Sequence, residues 1–281
     1  MSVIAIANEP ASLGEKDRLV SDIEAWGSPE QMKLQRTVHR LTRKLHKRPW
    51  FVSQGRAPLL LAESMDYVNL VDRILRISNS LFVFCPPEVM SFLREKYSSG
   101  GYGYYDASVT RWGGPDTIEF AQDSLAASRL MDAGLQIETL DAETHPARIR
   151  QIQLAQAKAG IKPFPGYFMR GADGTTICVA LTDEDQDVVG AICAFSLWPG
   201  SQYERTAFLA GRFISERWRG KHLSQPLTAA CIVEAARRFR SKFFWANNRA
   251  QDSRAIRTSF FKIESPGPKR IGLFATADPG N

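Results

Sequence analysis

"RFISERWRGKHLSQPL", residues 212–227, is the stretch on which the reading of this chain turns. Arg217, Arg219 and Lys221 crowd around Gly220, and the preceding run "TAFLAGRFIS" (206–215) has the composition of a strand. Beyond it, Ala229, Ile232, Val233 and Ala236 recur at helical spacing. A helix opens with amides that have no intrahelical partner, and its dipole places partial positive charge there. Gly220 lets the backbone approach a ligand and take a positive φ, and Arg219 and Lys221 add full charges. Pro226 falls in the first turn, where a missing N–H costs nothing. Strand, basic glycine turn and helix start together make a seat for a pyrophosphate. The same letters also suit a solvent-facing helix end with solubilising arginines, so the surroundings decide.

Those surroundings are those of a soluble α/β protein. The 281 residues suffice for one large domain or two small ones, and 44% hydrophobic with 23% charged residues is ordinary for a globular chain. No apolar run approaches the roughly 20 residues of a membrane span. The early "VIAIA" is too short for a secretory segment. Cys85, Cys178, Cys193 and Cys231 are scattered, with no histidine at ligand spacing. That argues against a zinc site or a disulfide framework and predicts a reducing, cytoplasmic setting. A net charge of +6 permits an anionic partner without selecting one.

The two halves read differently, dividing near 133/134. Residues 1–133 are expected to be mainly helical. Ser28-Pro29-Glu30-Gln31 reads as a capping box. The helix behind it sets Leu34, Val38, Leu41 and Leu45 on one face and Arg36, Arg40, Arg43, Lys44, Lys47 and Arg48 on the other, stopping at Pro49. Helices are predicted over about 64–77 and 87–97, with a strand at "SLFVF" (80–84). "SSGGYGYYD" (98–106) reads as a loop, either an interdomain connection or a lid. From residue 134 strands dominate: 135–140, 175–181, 187–197, 206–215, 242–247 and 270–275. Helices are expected after an N-cap at Thr144, from near Leu223, and over about 253–261. Residues 182–186 form the turn of a hairpin. The order is that of one compact α/β domain, with no internal repeat visible in the letters.

With that order in place, "RFISERWRGKHLSQPL" resembles motif A of the GNAT acyltransferase superfamily, a strand running into an (Arg/Gln)-x-x-Gly-x-(Gly/Ala) loop that opens a helix. Arg219 takes the first position, His222 stands where the family has a glycine, and Ser224 takes the final small position. The resemblance covers residues 134–281 only. It implies a mixed central sheet with flanking helices, and acyl-coenzyme A, acetyl-coenzyme A or a longer homologue, as donor. The pyrophosphate would rest on Arg219, Gly220, Lys221, His222 and Ser224, with pantetheine along the backbone near Phe213 and Ile214. An amine, small molecule or peptide, would attack the thioester directly. Glu216, Glu204 and His222 are candidate bases near the strand. "DSRAIRTSFFKI" (252–263) resembles the late helix that supplies a tyrosine acid in many members, but Ser259 or Phe260 falls at that position. The missing tyrosine keeps a non-catalytic acyl-coenzyme A sensor in view.

Other residues carry two readings each. Asn247 and Asn248 end a strand beside the implied acyl site and suit either substrate binding or a turn. Phe244 and Trp245 read as core, and Cys193, with no base partner in the sequence, as packing. The basic helix 29–48 reads first as a solvated face, then as a dock for an acidic carrier protein, and least as a nucleic-acid surface, for which no helix-turn-helix or RNP-like pattern is present.

Overall fold

The computed structural model describes residues 23–98, 100–106, 110–247 and 270–276. Ser28 opens the first helix as its sequence predicts. Its Oγ accepts from the Gln31 amide at 3.3 Å, and Gln31 Oε1 accepts from the Ser28 amide at 3.1 Å. Helix α1 (Pro29–Leu45) buries Val38, Leu41 and Leu45 and exposes Arg36, Arg40, Arg43 and Lys44; it ends short of Pro49, so Lys47 and Arg48 stand exposed beyond it. Thereafter come β1 (Phe51–Ser53), β2 (Pro58–Leu61), α2 (Val68–Ser78), β3 (Ser80–Cys85), α3 (Pro87–Ser98), β4 (Tyr102–Asp106), β5 (Thr110–Gly113) and α4 (Asp116–Ala126). The second half continues with β6 (Gln136–Thr139), α5 (Pro146–Lys158), the single turn α6 (Gly166–Met169), β7 (Thr176–Thr182), β8 (Val188–Ser196) and β9 (Thr206–Ile214). It closes with α7 (Ser224–Phe239), β10 (Phe243–Asn247) and β11 (Arg270–Thr276).

The α/β class is as expected, and the first half does contain helices. It also contains five strands, of which the letters revealed one. The tyrosine-rich segment is the clearest difference, because its residues 102–106 are β4 rather than a loop. Tyrosine suits a pleated surface, and Tyr104 packs on Phe274 of β11 at 5.2 Å between ring centroids, held from outside by the Arg94 guanidinium at 4.7 Å. A smaller correction concerns the start of α5. His145, not Thr144, is the N-cap, its Nδ1 accepting from the Ala147 amide at 3.2 Å. Thr144 Oγ1 instead accepts from the Asp141 amide at 2.9 Å and closes the preceding turn.

Two mixed sheets result, ordered β1-β2-β3-β11-β4 and β5-β10-β9-β8-β7-β6. Each contains one parallel pair joined through a helix: β2-α2-β3 in the first and β9-α7-β10 in the second. In each, the second strand of that unit is flanked by an antiparallel strand from the other half of the chain. β11 lies beside β3, with Leu273 opposite Phe82, and β5 lies beside β10, with Trp112 opposite Trp245. Strand pairing therefore runs across the 133/134 division in both directions. One face of the six-stranded sheet packs Ile177, Val179 and Ile192 against Ala121 of α4 and Leu227, Cys231 and Ile232 of α7. The opposite face carries Phe195, Phe208 and Trp245 into a core shared with Leu59, Leu60 and Phe84 of the first sheet. A fully buried side chain of this size contributes about 1.5–3 kcal/mol, so the shared core ties the halves firmly together.

Candidate active site

Strands β9 and β10 pair in parallel from Thr206 opposite Phe243 to Leu209 opposite Ala246, and then part. β9 runs on to Ile214 with β8 on its other side, so from Ala210 onward its β10-facing edge is free of strand partners among the described residues. The β8–β9 register slips at the same place. Ala191 faces Phe213 and Cys193 faces Ala210, leaving Ile192 alone opposite Gly211 and Arg212. This is a β-bulge, and Gly211 takes φ +65° within it. A Cβ on Gly211 would stand 2.2 Å from Phe164 Cε2, so packing demands glycine as well. A bulge interrupts the ladder and can leave N–H groups fixed and available to a carbonyl oxygen.

Past Ile214 the chain makes a 3-10 turn, Glu216–Trp218, and then the basic turn before α7. Gly220 has φ +82°, and nothing lies within 4 Å of where its Cβ would be, so the backbone there is open to approach. His222 takes φ +59°, a left-handed conformation that histidine tolerates better than most residues. The N-cap position of α7 is Leu223, which makes no side-chain cap bond, so no N-cap side chain occupies the first amides of the helix. Arg219 Nε donates to the Ile214 carbonyl at 3.3 Å, and Lys221 Nζ sits 4.1 Å over the Trp218 ring. Arg217 is bound to Asp183 and Asp187 of the β7–β8 hairpin, whereas Arg219 and Lys221 have no carboxylate partner among the described residues. The corresponding turn of the first strand-helix-strand unit, residues 62–67, carries Glu63 and Asp66 with no cation and no glycine. An anion is repelled there and attracted at 219–224.

The freed strand edge, the bulge at its start and the basic helix start at its end all lie within one segment that a family model matches. Residues 137–258 match the acetyltransferase (GNAT) family. This part of the chain is a GNAT domain. Among solved structures, the chain is similar to a GCN5-related N-acetyltransferase from Kribbella flavida, with 11% identity, TM-score 0.50, and 88% of this chain and 96% of that one covered. It is also similar to a Drosophila protein, with 10% identity, TM-score 0.50, and 92% and 96% covered. At these identities the likeness is one of fold. No protein of curated function matches the sequence. A GNAT domain in the C-terminal half supports acyl transfer as a general activity.

Within the GNAT domain, Phe213, Ile214, Arg219, Gly220, Lys221, His222 and Ser224 lie along one path from the bulge to the start of α7. Glu216 is exposed in the 3-10 turn, five residues past Gly211. That is roughly 16 Å of extended chain at about 3.3 Å per residue, so the structure does not bring it to the bulge. Glu204 is exposed before β9. Asn247 ends β10 opposite Thr110, while Asn248, Ser259 and the late helix expected over 253–261 lie outside the described residues. Phe244 and Trp245 are fully buried core residues. Cys178 and Cys193 are buried side by side, and their mutual hydrogen bond, with burial, pushes the Cys178 thiol well up, away from thiolate chemistry. Among the described residues no group of three or more His, Cys, Asp or Glu is placed to hold a metal, and no helix is long and apolar enough to cross a membrane.

Three residues beside the bulge escaped the sequence reading: Gly211, Phe164 and Arg56. The first had a signal, since a lone glycine inside a strand pattern marks a bulge or a close approach. Phe164 follows α5 and is completely buried, stacked on Phe168 at 5.0 Å. The Arg56 guanidinium, from the β1–β2 turn, lies 4.0 Å from the Phe164 ring centroid. Nothing in local sequence could have placed it there.

Proposed function

We propose that the protein transfers an acetyl group from acetyl-coenzyme A to an amine by direct attack on the thioester. The observation that carries this reading is the uncapped, basic start of α7 at the end of a strand edge that β10 has left. Arg219, Gly220, Lys221, His222 and Ser224 would hold the pyrophosphate through charge and helix amides. Backbone groups of Phe213 and Ile214 would pair with pantetheine, which directs the thioester toward Gly211. There the bulge would supply N–H groups to the developing oxyanion. The amine nitrogen, once its ammonium proton has gone to a base, bonds to the carbonyl carbon while the C–S bond breaks. The departing thiolate has an ordinary pKa near 8.5, so water suffices to protonate it and an acid at Ser259 is not required. A cytoplasmic setting fits four buried, unpaired cysteines.

Isothermal titration with acetyl-coenzyme A tests the reading, with Arg219→Glu alongside. Binding near micromolar is expected, weakened at least about tenfold in the variant, because a carboxylate then faces phosphate. Unchanged affinity in Arg219→Glu removes the phosphate role of the turn. Absence of binding in the parent would redirect the search to a carrier-protein thioester and to the exposed basic face of α1. Binding without release of thiol in the presence of amines would mark a sensor.

A further inference from the structure

The bulge has a cation beside it that the donor does not need. Gly55 and Arg56 form the β1–β2 turn, with Gly55 at φ +70° and its amide donating to Ser53 Oγ at 2.9 Å. A Cβ on Gly55 would stand 2.8 Å from Phe168 Cγ, so the turn is pressed onto that ring. Phe168 stacks on Phe164, Arg56 lies over Phe164, and the Phe164 edge abuts Gly211. These contacts put Arg56 one ring-width from the point where β9 bulges.

Its surroundings are wrong for a structural arginine. Arg148 and Arg170, on the same side of the six-stranded sheet, are each paired with a carboxylate, Glu138 at 2.8 Å and Glu24 at 2.8 Å. Arg56 has no carboxylate partner among the described residues. Its Nη1 donates to the neutral Lys162 carbonyl at 2.5 Å, which leaves other N–H donors of the fork to be matched. Its partial burial lowers its pKa to about 10. The side chain is only half-buried, so the guanidinium can be met by an anion arriving from solvent.

We propose that Arg56 receives the carboxylate of the acceptor, so that the amine acylated at the bulge belongs to an amino acid or a similarly small amino-carboxylic acid. This deepens the acetyl-transfer reading and rests on it. A single planar guanidinium matches a carboxylate in charge and in its two-point geometry, whereas a phosphate dianion would leave charge unneutralised. Phe164 and Phe168 are fully buried and hold the guanidinium from behind, so the acceptor reaches it from the solvent side. The ammonium then lies toward Gly211 and the carboxylate toward the β1–β2 turn.

The test uses the full chain, acetyl-coenzyme A and matched acceptor pairs, amino acids against their carboxamides, followed by thiol release. Arg56→Met and Arg56→Lys are compared with the parent, with acetyl-coenzyme A affinity measured on each preparation. The parent is expected to favour acids over amides by at least tenfold in kcat/KM, although the less basic amides are better supplied with free amine. In Arg56→Met that ratio falls toward one through a raised KM for the acid, and Arg56→Lys keeps part of it. A merely structural tie between the β1–β2 turn and Lys162 would lower both members of a pair together, which overturns the proposal. Equal use of acids and amides by the parent overturns it, as does a preference that survives in Arg56→Met. If acetyl-coenzyme A binds and only amines without a carboxylate are acylated, the proposal fails while acetyl transfer stands. If acetyl-coenzyme A does not bind, it is the underlying reading that fails.

Discussion

Replacing Gly211 with alanine adds one methyl group at the point where β9 leaves β10. Gly211 holds φ +65°, and a left-handed conformation costs a non-glycine residue about 1–2 kcal/mol. The new Cβ would stand 2.2 Å from Phe164 Cε2 and 2.9 Å from Cζ. Phe164 is 0% exposed and stacked on Phe168, so the ring has nowhere to withdraw, and overpacking of this kind costs about 1–3 kcal/mol. The sum is a loss of about 2–5 kcal/mol. Urea unfolding reads it as a lower midpoint at constant slope. The double variant Gly211→Ala/Phe164→Leu separates the two parts. Relief of the clash is expected as a favourable coupling of about 1–3 kcal/mol, with the backbone part remaining. A single variant within about 0.5 kcal/mol of the parent, the usual range for an unstrained surface site, would refute the reasoning. So would a cycle without coupling. Acetyl transfer by Gly211→Ala is expected to fall far more than acetyl-coenzyme A affinity, since displacement of about 1 Å at a reacting centre can cost about a hundredfold.

Two further expectations concern histidines. His222→Gly restores the family's glycine at a position with φ +59° and should raise stability by up to about 1 kcal/mol without weakening acetyl-coenzyme A, checked by urea unfolding and titration. Loss of affinity would mean that the imidazole itself contacts the donor. His39 packs edge-on to Tyr167 at 4.4 Å, and burial first, then Arg43, lower its pKa below the usual 6.5. The unfolded chain therefore takes up the proton first as pH falls below about 6.5, and the folded state loses stability until the buried imidazole also protonates. His39→Phe keeps the ring and removes the titration, so its stability should fall less between pH 7 and 5. Equal losses in both proteins would rule out that role for His39.

What the letters revealed was local. The capping box, the buried stripe of α1, the β7–β8 hairpin and the basic turn before α7 are set by residues close in sequence, and each stands where it was read. Strands β1, β2 and β5 are three or four residues long and owe their existence to partners elsewhere. "FVS" and "PLLL" show no period over such lengths, and β5 is a strand because Trp112 meets Trp245 across a separation of more than 100 residues. The tyrosines of β4 misled for the same reason, since the strand they pair with lies far along the chain. At the candidate site, the proposed donor half was legible because one continuous stretch builds it. The proposed acceptor half was not, because Phe164, Gly211 and Arg56 meet only after both halves have packed.

The exchanged strands also bear on how the protein is made. β11 sits between β3 and β4, yet about 170 residues are polymerised between the end of β4 and the end of β11. At about 5–20 residues per second, the first sheet waits on the order of ten to thirty seconds on the ribosome with its central gap open. Two unpaired strand edges, one bearing Phe82 and Phe84, face that gap and are the kind of surface that recruits the wrong partner. β5, by contrast, is ready before β10 emerges. The GNAT domain can therefore complete its sheet as it appears, while the half that carries Arg56 closes last, and a nascent chain arrested before β11 would hold a finished six-stranded sheet beside an unfinished five-stranded one.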